Sequence, residues 1–168
     1  MKKRKPSRVL PNEIRPIVEF YPLKPVKRKV KWLILDPKLP RDGLIQAELK
    51  SAHGIYIFYN SQCRAIYLGK ADQLTLWKEL TNAFNRKREA QTLFKVLHPI
   101  TGNAFKPAYK KKRGIRKRHV YLHEIASFMS AYEVGDALIR NLEALLMRAF
   151  PNELTNAKME TIEFKTKK

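Results

Sequence analysis

The chain has 168 residues, which is enough for one domain with a hydrophobic core plus an extension. No apolar run approaches the ~20 residues that cross a bilayer, so the sequence argues against a membrane protein and for a cytoplasmic or nucleoid-associated one. The single cysteine excludes an internal disulfide and a cysteine metal cluster, whereas the net charge of +20 predicts an anionic partner.

Most of this positive charge is concentrated in two segments. Residues 1–31 hold eleven Lys or Arg against two Glu, and residues 110–119 hold seven against none. Lysine and arginine pair with phosphates without reading bases, so both segments predict affinity for nucleic acid, and DNA is the expected partner. From the second segment we expect DNA contacts by Lys110, Lys111, Lys112, Arg113, Arg116, Lys117 and Arg118.

Residues 1–40 are predicted to be a basic, proline-rich extension of a domain that occupies residues 41–168. Five prolines within the first 25 residues argue against a long helix or a central strand. We expect an extended arm that lies on the domain or on DNA and that can be removed without unfolding the domain. The apolar run at residues 32–35 is expected to dock on the core, and residues 40–52 fit a short helix with Asp42 as a possible cap.

Residues 55–59 and 65–68 alternate apolar side chains and predict two strands. In the first strand, odd and even positions are expected on opposite faces; in the second, Ile66 and Leu68 are expected to face away from Ala65 and Tyr67. Turn-forming residues between the strands predict an antiparallel hairpin.

Two triplets frame this hairpin: Gly54-Ile55-Tyr56 and, after ten intervening residues, Tyr67-Leu68-Gly69, which Lys70 follows. Their order and spacing resemble the GIY-YIG nuclease family, with leucine in the middle of the second triplet. The resemblance implies an α+β fold with a small three-stranded, mainly antiparallel sheet flanked by helices. It also implies catalytic roles for Tyr56, Tyr67 and Lys70. A plain hairpin with half-buried tyrosines is the alternative.

Residues 72–88 are predicted to form a helix in which Lys78, Asn82 and Arg86 make a polar stripe. Members of the family carry a catalytic arginine on this helix, often at the position that holds Trp77 here. Arg86 lies on the stripe nineteen residues after the second tyrosine and is the predicted catalytic arginine, with Lys78 as the alternative.

Residues 91–118 show no periodicity and predict a long loop whose basic part covers about residues 107–119. Alternation at residues 120–126 predicts the third strand. The segment Ser130-Ala-Tyr-Glu133 has the form of a capping box and predicts the start of a helix that reaches about residue 151.

Glu143 stands out on that helix, because its neighbours at helical spacing are mostly apolar. A carboxylate at the edge of a packed face costs free energy unless a cation or hydrogen-bond donors compensate it. The resemblance makes Glu143 the ligand of Mg²⁺ or Mn²⁺, and Asn156 the asparagine that closes the catalytic region. The alternative is a boundary residue paired with Arg140 or Arg148.

Taken together, the motifs predict a metal-dependent DNA endonuclease that hydrolyses phosphodiester bonds, of the restriction, repair or mobile-element type. Glu143 would hold the metal, Arg86 would grip the phosphate, and Tyr56, assisted by Tyr67 or Lys70, would be the general base. His119 or His123 could contribute to proton transfer. The main alternative is a non-catalytic nucleic-acid-binding module, and a ribosomal-type RNA protein is a third possibility.

Overall fold

A computed structural model describes residues 9–28, 31–86, 92–95, 116–119 and 121–150 of the chain. The described elements, in chain order, are β1 (Ile14–Pro22), β2 (Val26–Arg28), β3 (Lys31–Leu33), α1 (Pro40–Ser51), β4 (Gly54–Tyr59), β5 (Ala65–Ala71), α2 (Leu76–Asn85), β6 (Thr92–Lys95), β7 (Arg116–His119), α3 (Leu122–Ile125), β8 (Phe128–Val134) and α4 (Ile139–Ala149). None of these helices is long and apolar enough to cross a membrane.

The main sheet has four antiparallel strands in the order β1-β8-β4-β5. Two further ribbons, β2-β3 and β6-β7, have two strands each. The fold is therefore α+β, as predicted. The prediction of a three-stranded sheet is corrected to four, because the N-terminal segment adds β1 to one edge.

The predicted hairpin is confirmed as β4-β5. Its turn is organised by the Asn60 side chain, whose oxygen accepts hydrogen bonds from the backbone N–H groups of Gln62 and Arg64 at 2.9 and 3.0 Å. Strand β5 carries a bulge, because Tyr67 pairs with Phe58 whereas Ala65 pairs with Tyr59. The extra residue, Ile66, therefore packs on the opposite face from Leu68, which corrects the predicted alternation.

The sheet packs against helices on both faces, and its core forms two clusters. On the α2 face, even-numbered residues of β4 such as Tyr56 and Phe58 pack against Leu80 and Phe84 of α2. The other cluster, on the α4 face, joins odd-numbered residues of β4 to residues of β5, β8 and α4; its buried members include Ile55, Ile57, Leu68, Val134, Ile139 and Met147. The predicted alternation of β4 is confirmed.

Strand β1 places much of the predicted arm inside the domain. It pairs with β8 from Ile14↔Val134 to Pro22↔Phe128. Arg15 reaches the fully buried Glu133 at 2.8 Å and Glu48 of α1 at 3.1 Å. Prolines are tolerated here because β1 is an irregular edge strand. Residues 14–22 therefore lie on the domain, one of the two placements expected for the arm, and their removal would delete an edge strand of the main sheet.

The structure also corrects the elements that follow residue 119. The predicted strand at residues 120–126 is instead the short helix α3, where the Glu124 carboxylate accepts a hydrogen bond from the Tyr121 backbone N–H at 3.1 Å. The predicted capping box at Ser130–Glu133 lies within β8, and its helix begins later, at Ile139. The physical reason is the buried ion pair of Glu133 with Arg15, which lets a glutamate occupy a central strand.

The helices predicted at residues 40–52 and 72–88 are both present in the structure. Helix α1 is confirmed, although Asp42 is not its cap: the buried carboxylate accepts hydrogen bonds from the Asp36 backbone N–H at 2.7 Å and from the Tyr21 hydroxyl. Helix α2 is also confirmed, but it ends at Asn85. The predicted loop contains the β6-β7 ribbon.

Candidate active site

The two predicted tyrosines lie together on the α2 face. The ring centroids of Tyr56 and Tyr67 are 6.0 Å apart, and Tyr56 is only 2% exposed. Gly69 pairs with Tyr56 across the hairpin, and a Cβ at Gly69 would overlap the Tyr56 ring. The glycine of the second triplet is therefore required by the tyrosine of the first.

The glycine of the first triplet has a different structural reason. Gly54 has a φ of 149°, and a Cβ there would overlap the backbone carbonyl of Tyr132. Its position is fixed by the close approach of β8, which pairs with β4 at this point. Both glycines thus serve the packing of the sheet, a role that is compatible with a catalytic role for their neighbours.

Lys70 and Glu143 meet on the α4 face. Lys70 pairs with Ile55 across the hairpin, and its Nζ lies 2.8 Å from Glu143 Oε2 on α4. The two side chains are 18% and 6% exposed. A buried carboxylate compensated by a cation was expected, but the cation in the structure is Lys70. Arg148, one of the two arginines considered from the sequence, donates a hydrogen bond to the Ala144 carbonyl at 2.9 Å.

A second ion pair extends this arrangement. Arg140, one turn before Glu143, lies 3.6 Å from the carboxylate of Asp72, which follows Lys70 by two residues. We call the four residues Lys70, Asp72, Arg140 and Glu143 the charged seam, because they line the contact between the end of β5 and α4. Sequence reasoning missed Asp72. Its signal was the i, i+2 spacing from Lys70 together with the i, i+3 spacing of the two helix residues.

The charged seam and the tyrosine pair lie on opposite faces of the sheet. Cross-strand pairs share a face, so Ile55 and Lys70 lie on the α4 face while Tyr56 and Gly69 lie on the α2 face. The structure thus assembles two pairs of the predicted catalytic residues, and it does not place all four in one cluster.

Arg86 is distant from the charged seam. It is exposed directly after α2, whose Phe84 stacks on Phe58 toward the turn end of the hairpin at a centroid distance of 5.7 Å. Lys70 lies near the other end of the hairpin and on the other face. Lys78, in the first turn of α2, is also exposed on the α2 face.

Trp77 occupies the position where many family members have arginine. It packs half-buried against the core of the α2 face, and the Lys50 ammonium lies 6.0 Å from the centre of its ring. An apolar side chain at this position contributes packing, so a phosphate-binding charge must come from elsewhere.

Several predicted residues fall outside the described part of the chain. Asn156 and the basic residues at 110–113 are among them, and Arg116, Lys117 and Arg118 are described only by the backbone of β7. In that strand, Arg118 pairs with Leu93 of β6 and Arg116 with Lys95. Their predicted contacts with DNA stay predictions.

The residues of the charged seam bear on the predicted metal ion. Within the described ranges, no three His, Cys, Asp or Glu side chains form a group able to hold a metal. Glu143 supplies a carboxylate, the donor type that Mg²⁺ and Mn²⁺ prefer. Lys70 compensates the charge of this carboxylate in the structure, so a metal ion at Glu143 would have to compete with the Lys70 ammonium, and the metal site stays a prediction.

Comparisons with protein-family models, with curated proteins and with solved structures found no match for this chain. The resemblance to GIY-YIG nucleases therefore stays a prediction based on the two triplets and on Glu143.

Proposed function

We propose that the chain is a metal-dependent DNA endonuclease that hydrolyses phosphodiester bonds. The observation that carries the proposal is the contact of Lys70 with Glu143, because it joins the residue after the second triplet to the glutamate that the resemblance makes the metal ligand. A buried, charged pair of this kind is costly to maintain because both charges are taken out of water.

The charged seam brings a buried carboxylate and two cationic side chains to one face of the sheet. Glu143 would hold the metal ion, and Lys70 and Arg140 would attract and orient a phosphate. Arg140 is 59% exposed and is therefore accessible to a substrate. A bound Mg²⁺ would polarise a phosphate oxygen and would compensate the negative charge that develops on the leaving oxygen.

The remaining roles rest on the resemblance alone. Tyr56 and Tyr67 stay proposed proton acceptors, although they lie on the opposite face from Glu143. Arg86 and Lys78 stay proposed phosphate contacts. A protein that acts on DNA in this way would be cytoplasmic or nucleoid-associated.

The second candidate is a non-catalytic nucleic-acid-binding module. Two observations favour it: Trp77 replaces the usual arginine, and Lys70 compensates the charge of Glu143. Nicking of supercoiled plasmid separates the two functions. The endonuclease proposal predicts nicking with Mg²⁺ or Mn²⁺ that stops in EDTA, whereas binding to the plasmid without nicking under either condition would support the module.

A further inference from the structure

A column of aromatic rings lies at the C-terminal end of α2, away from the charged seam. The imidazole of His123 stacks with Trp32 at a centroid distance of 5.0 Å and with Tyr121 at 4.8 Å, with interplanar angles of 21° and 27°. The ring of Phe84 meets the same imidazole edge-on at 5.9 Å. We call Trp32, Tyr121 and His123 the ring column; all three residues are partly exposed.

Hydrogen bonds to α2 hold the ring column in place. The Asn85 side chain accepts a hydrogen bond from the Trp32 backbone N–H at 2.8 Å and donates one to the Trp32 carbonyl at 3.0 Å. His123 Nδ1 lies 3.2 Å from the Phe84 carbonyl oxygen. The rings are therefore ordered before any ligand binds, which lowers the entropy cost of stacking something on them.

Basic residues lie next to the ring column or to the residues that hold it. Lys27 is the cross-strand neighbour of Trp32 in the β2-β3 ribbon, and residues 24–33 hold five Lys or Arg and no acid. Arg86 follows Asn85 directly and is exposed. Strand β7, with its three Lys or Arg, ends two residues before Tyr121. The nearby acid Glu124 is engaged by the backbone N–H of Tyr121.

The combination of stacked aromatic rings with neighbouring basic residues differs from the ordinary packing of a short ribbon on a helix. Packing alone needs buried apolar rings, whereas these three residues are partly exposed and the segment that carries Trp32 is strongly basic. Aromatic rings that alternate with cations are typical of surfaces that bind single-stranded nucleic acid, because bases stack on the rings while the cations hold the phosphates.

We propose that the ring column is a stacking site for the unpaired bases of single-stranded DNA, with Lys27 and Arg86 as phosphate contacts. The inference deepens the proposed function and rests on it in one respect, that DNA is the ligand. Bases inside an intact duplex are already stacked and cannot cover these rings. The protein would therefore prefer DNA with a single-stranded or branched region over a blunt duplex.

Tryptophan fluorescence tests the proposal directly, because the chain has only two tryptophans. In Trp77→Phe, the remaining emission comes from Trp32. Titration of this full-length variant with oligothymidylate in EDTA should quench the emission, and a blunt duplex at the same nucleotide concentration should quench it much less. Trp32→Phe is the matched control, since its remaining Trp77 lies outside the ring column and should keep its emission.

Affinity for labelled oligothymidylate provides the second readout. We expect Tyr121→Leu to bind about tenfold more weakly than wild type with an unchanged salt dependence, since a stacked base and not a phosphate contact is lost. Tyr121→Phe, which keeps the ring, should bind as wild type does and shows whether the site tolerates substitution. Lys27→Gln should instead reduce the slope of log affinity against log salt by nearly one.

Binding without quenching of Trp32, or equal quenching by duplex and single strand, would overturn the stacking site. Equal affinities of Tyr121→Leu and Tyr121→Phe would do the same. Because EDTA prevents metal-dependent cleavage, these outcomes do not depend on whether the protein is an endonuclease. Quenching of Trp32 without nicking of plasmid would support the stacking site and would contradict only the endonuclease proposal.

Discussion

Lys70 Nζ lies 2.8 Å from Glu143 Oε2, and both side chains are largely shielded from water. The pair joins an edge strand to the only helix described on that face of the sheet. In a buried pair, loss of one partner costs more than the pair itself contributes, because the other charge stays in a poorly hydrated place.

Lys70→Met should therefore destabilise the protein by about 3 kcal/mol at neutral pH. The double variant Lys70→Met/Glu143→Gln, which removes both charges, should recover most of that loss. Addition of Mn²⁺ should stabilise Lys70→Met more than wild type, because the metal then binds Glu143 without competition from the ammonium. Urea unfolding with and without Mn²⁺ measures all three effects. A Mn²⁺ effect that is the same in wild type and Lys70→Met would contradict a metal site at Glu143.

The two triplets should be coupled through Gly69 and Tyr56. Gly69→Ala forces a Cβ into the Tyr56 ring and should cost about 1–3 kcal/mol, as overpacking of a close-packed core does. In a Tyr56→Leu background the added cost of Gly69→Ala should be much smaller, because the outer ring atoms are gone. Gly43→Ala is the control: an added Cβ at this position in α1 would meet nothing within 4 Å beyond its own helix, so the substitution should stabilise by roughly 0.5–1 kcal/mol. Additive effects of the Gly69 and Tyr56 substitutions would refute the coupling.

In the N-terminal segment, we expect the basic residues 2–8 to act on DNA binding, as the sequence predicts, and Arg15 to act on stability. Arg15→Met leaves the fully buried Glu133 without its 2.8 Å partner and should destabilise by about 2–3 kcal/mol, less than the usual loss for a buried pair because Arg15 itself is 42% exposed. Deletion of residues 2–8, which hold five Lys or Arg, should leave the unfolding midpoint unchanged and reduce the salt dependence of DNA binding. A large loss of stability on this deletion would contradict the expectation for residues 2–8.

Tyr132 should make stability depend on alkaline pH. Burial, together with its hydrogen bond to the Glu19 carboxylate, raises the pKa of Tyr132 to about 12. The folded protein thus favours the neutral phenol, so this contribution is complete below the ordinary tyrosine pKa of about 10 and is lost as pH rises toward 12. Urea midpoints between pH 9 and 11.5 should fall less steeply in Tyr132→Phe than in wild type. Burial also raises the pKa of Tyr59, so part of the decline should persist. Parallel curves would contradict the assignment.

Local pattern was sufficient for the hairpin and for the helices α1 and α2. Alternation in residues 55–59 follows the pleat of β4. In both helices, apolar residues recur at helical spacing. The bulge at Ile66 was not predictable, because one extra residue within a run of apolar residues does not change the sequence pattern in a recognisable way.

Elements that depend on distant partners were not predictable in this way. Glu133 looks like a capping residue until Arg15, 118 positions away, is known to neutralise it within β8. In the candidate site, Glu143 was identified as a carboxylate that needs a cation, but its partner follows from the register of β5 against β4. The choice of Arg86 assumed that all polar residues of the α2 stripe lie close to Glu143. In the structure, the C-terminal end of α2 lies toward the turn end of the hairpin, and Arg86 follows it there.

Single-turnover nicking of supercoiled plasmid, with excess protein and Mg²⁺ or Mn²⁺, tests the central claim most directly. The variants to compare are Glu143→Gln and, as a matched control on another helix, Glu79→Gln. The proposal predicts that Glu143→Gln keeps the far-ultraviolet circular dichroism of wild type and nicks on the order of a hundredfold or more slowly, as expected when a key charge-stabilising group is lost. Glu79→Gln should nick at the wild-type rate. Nicking by Glu143→Gln within a few fold of wild type would contradict the account.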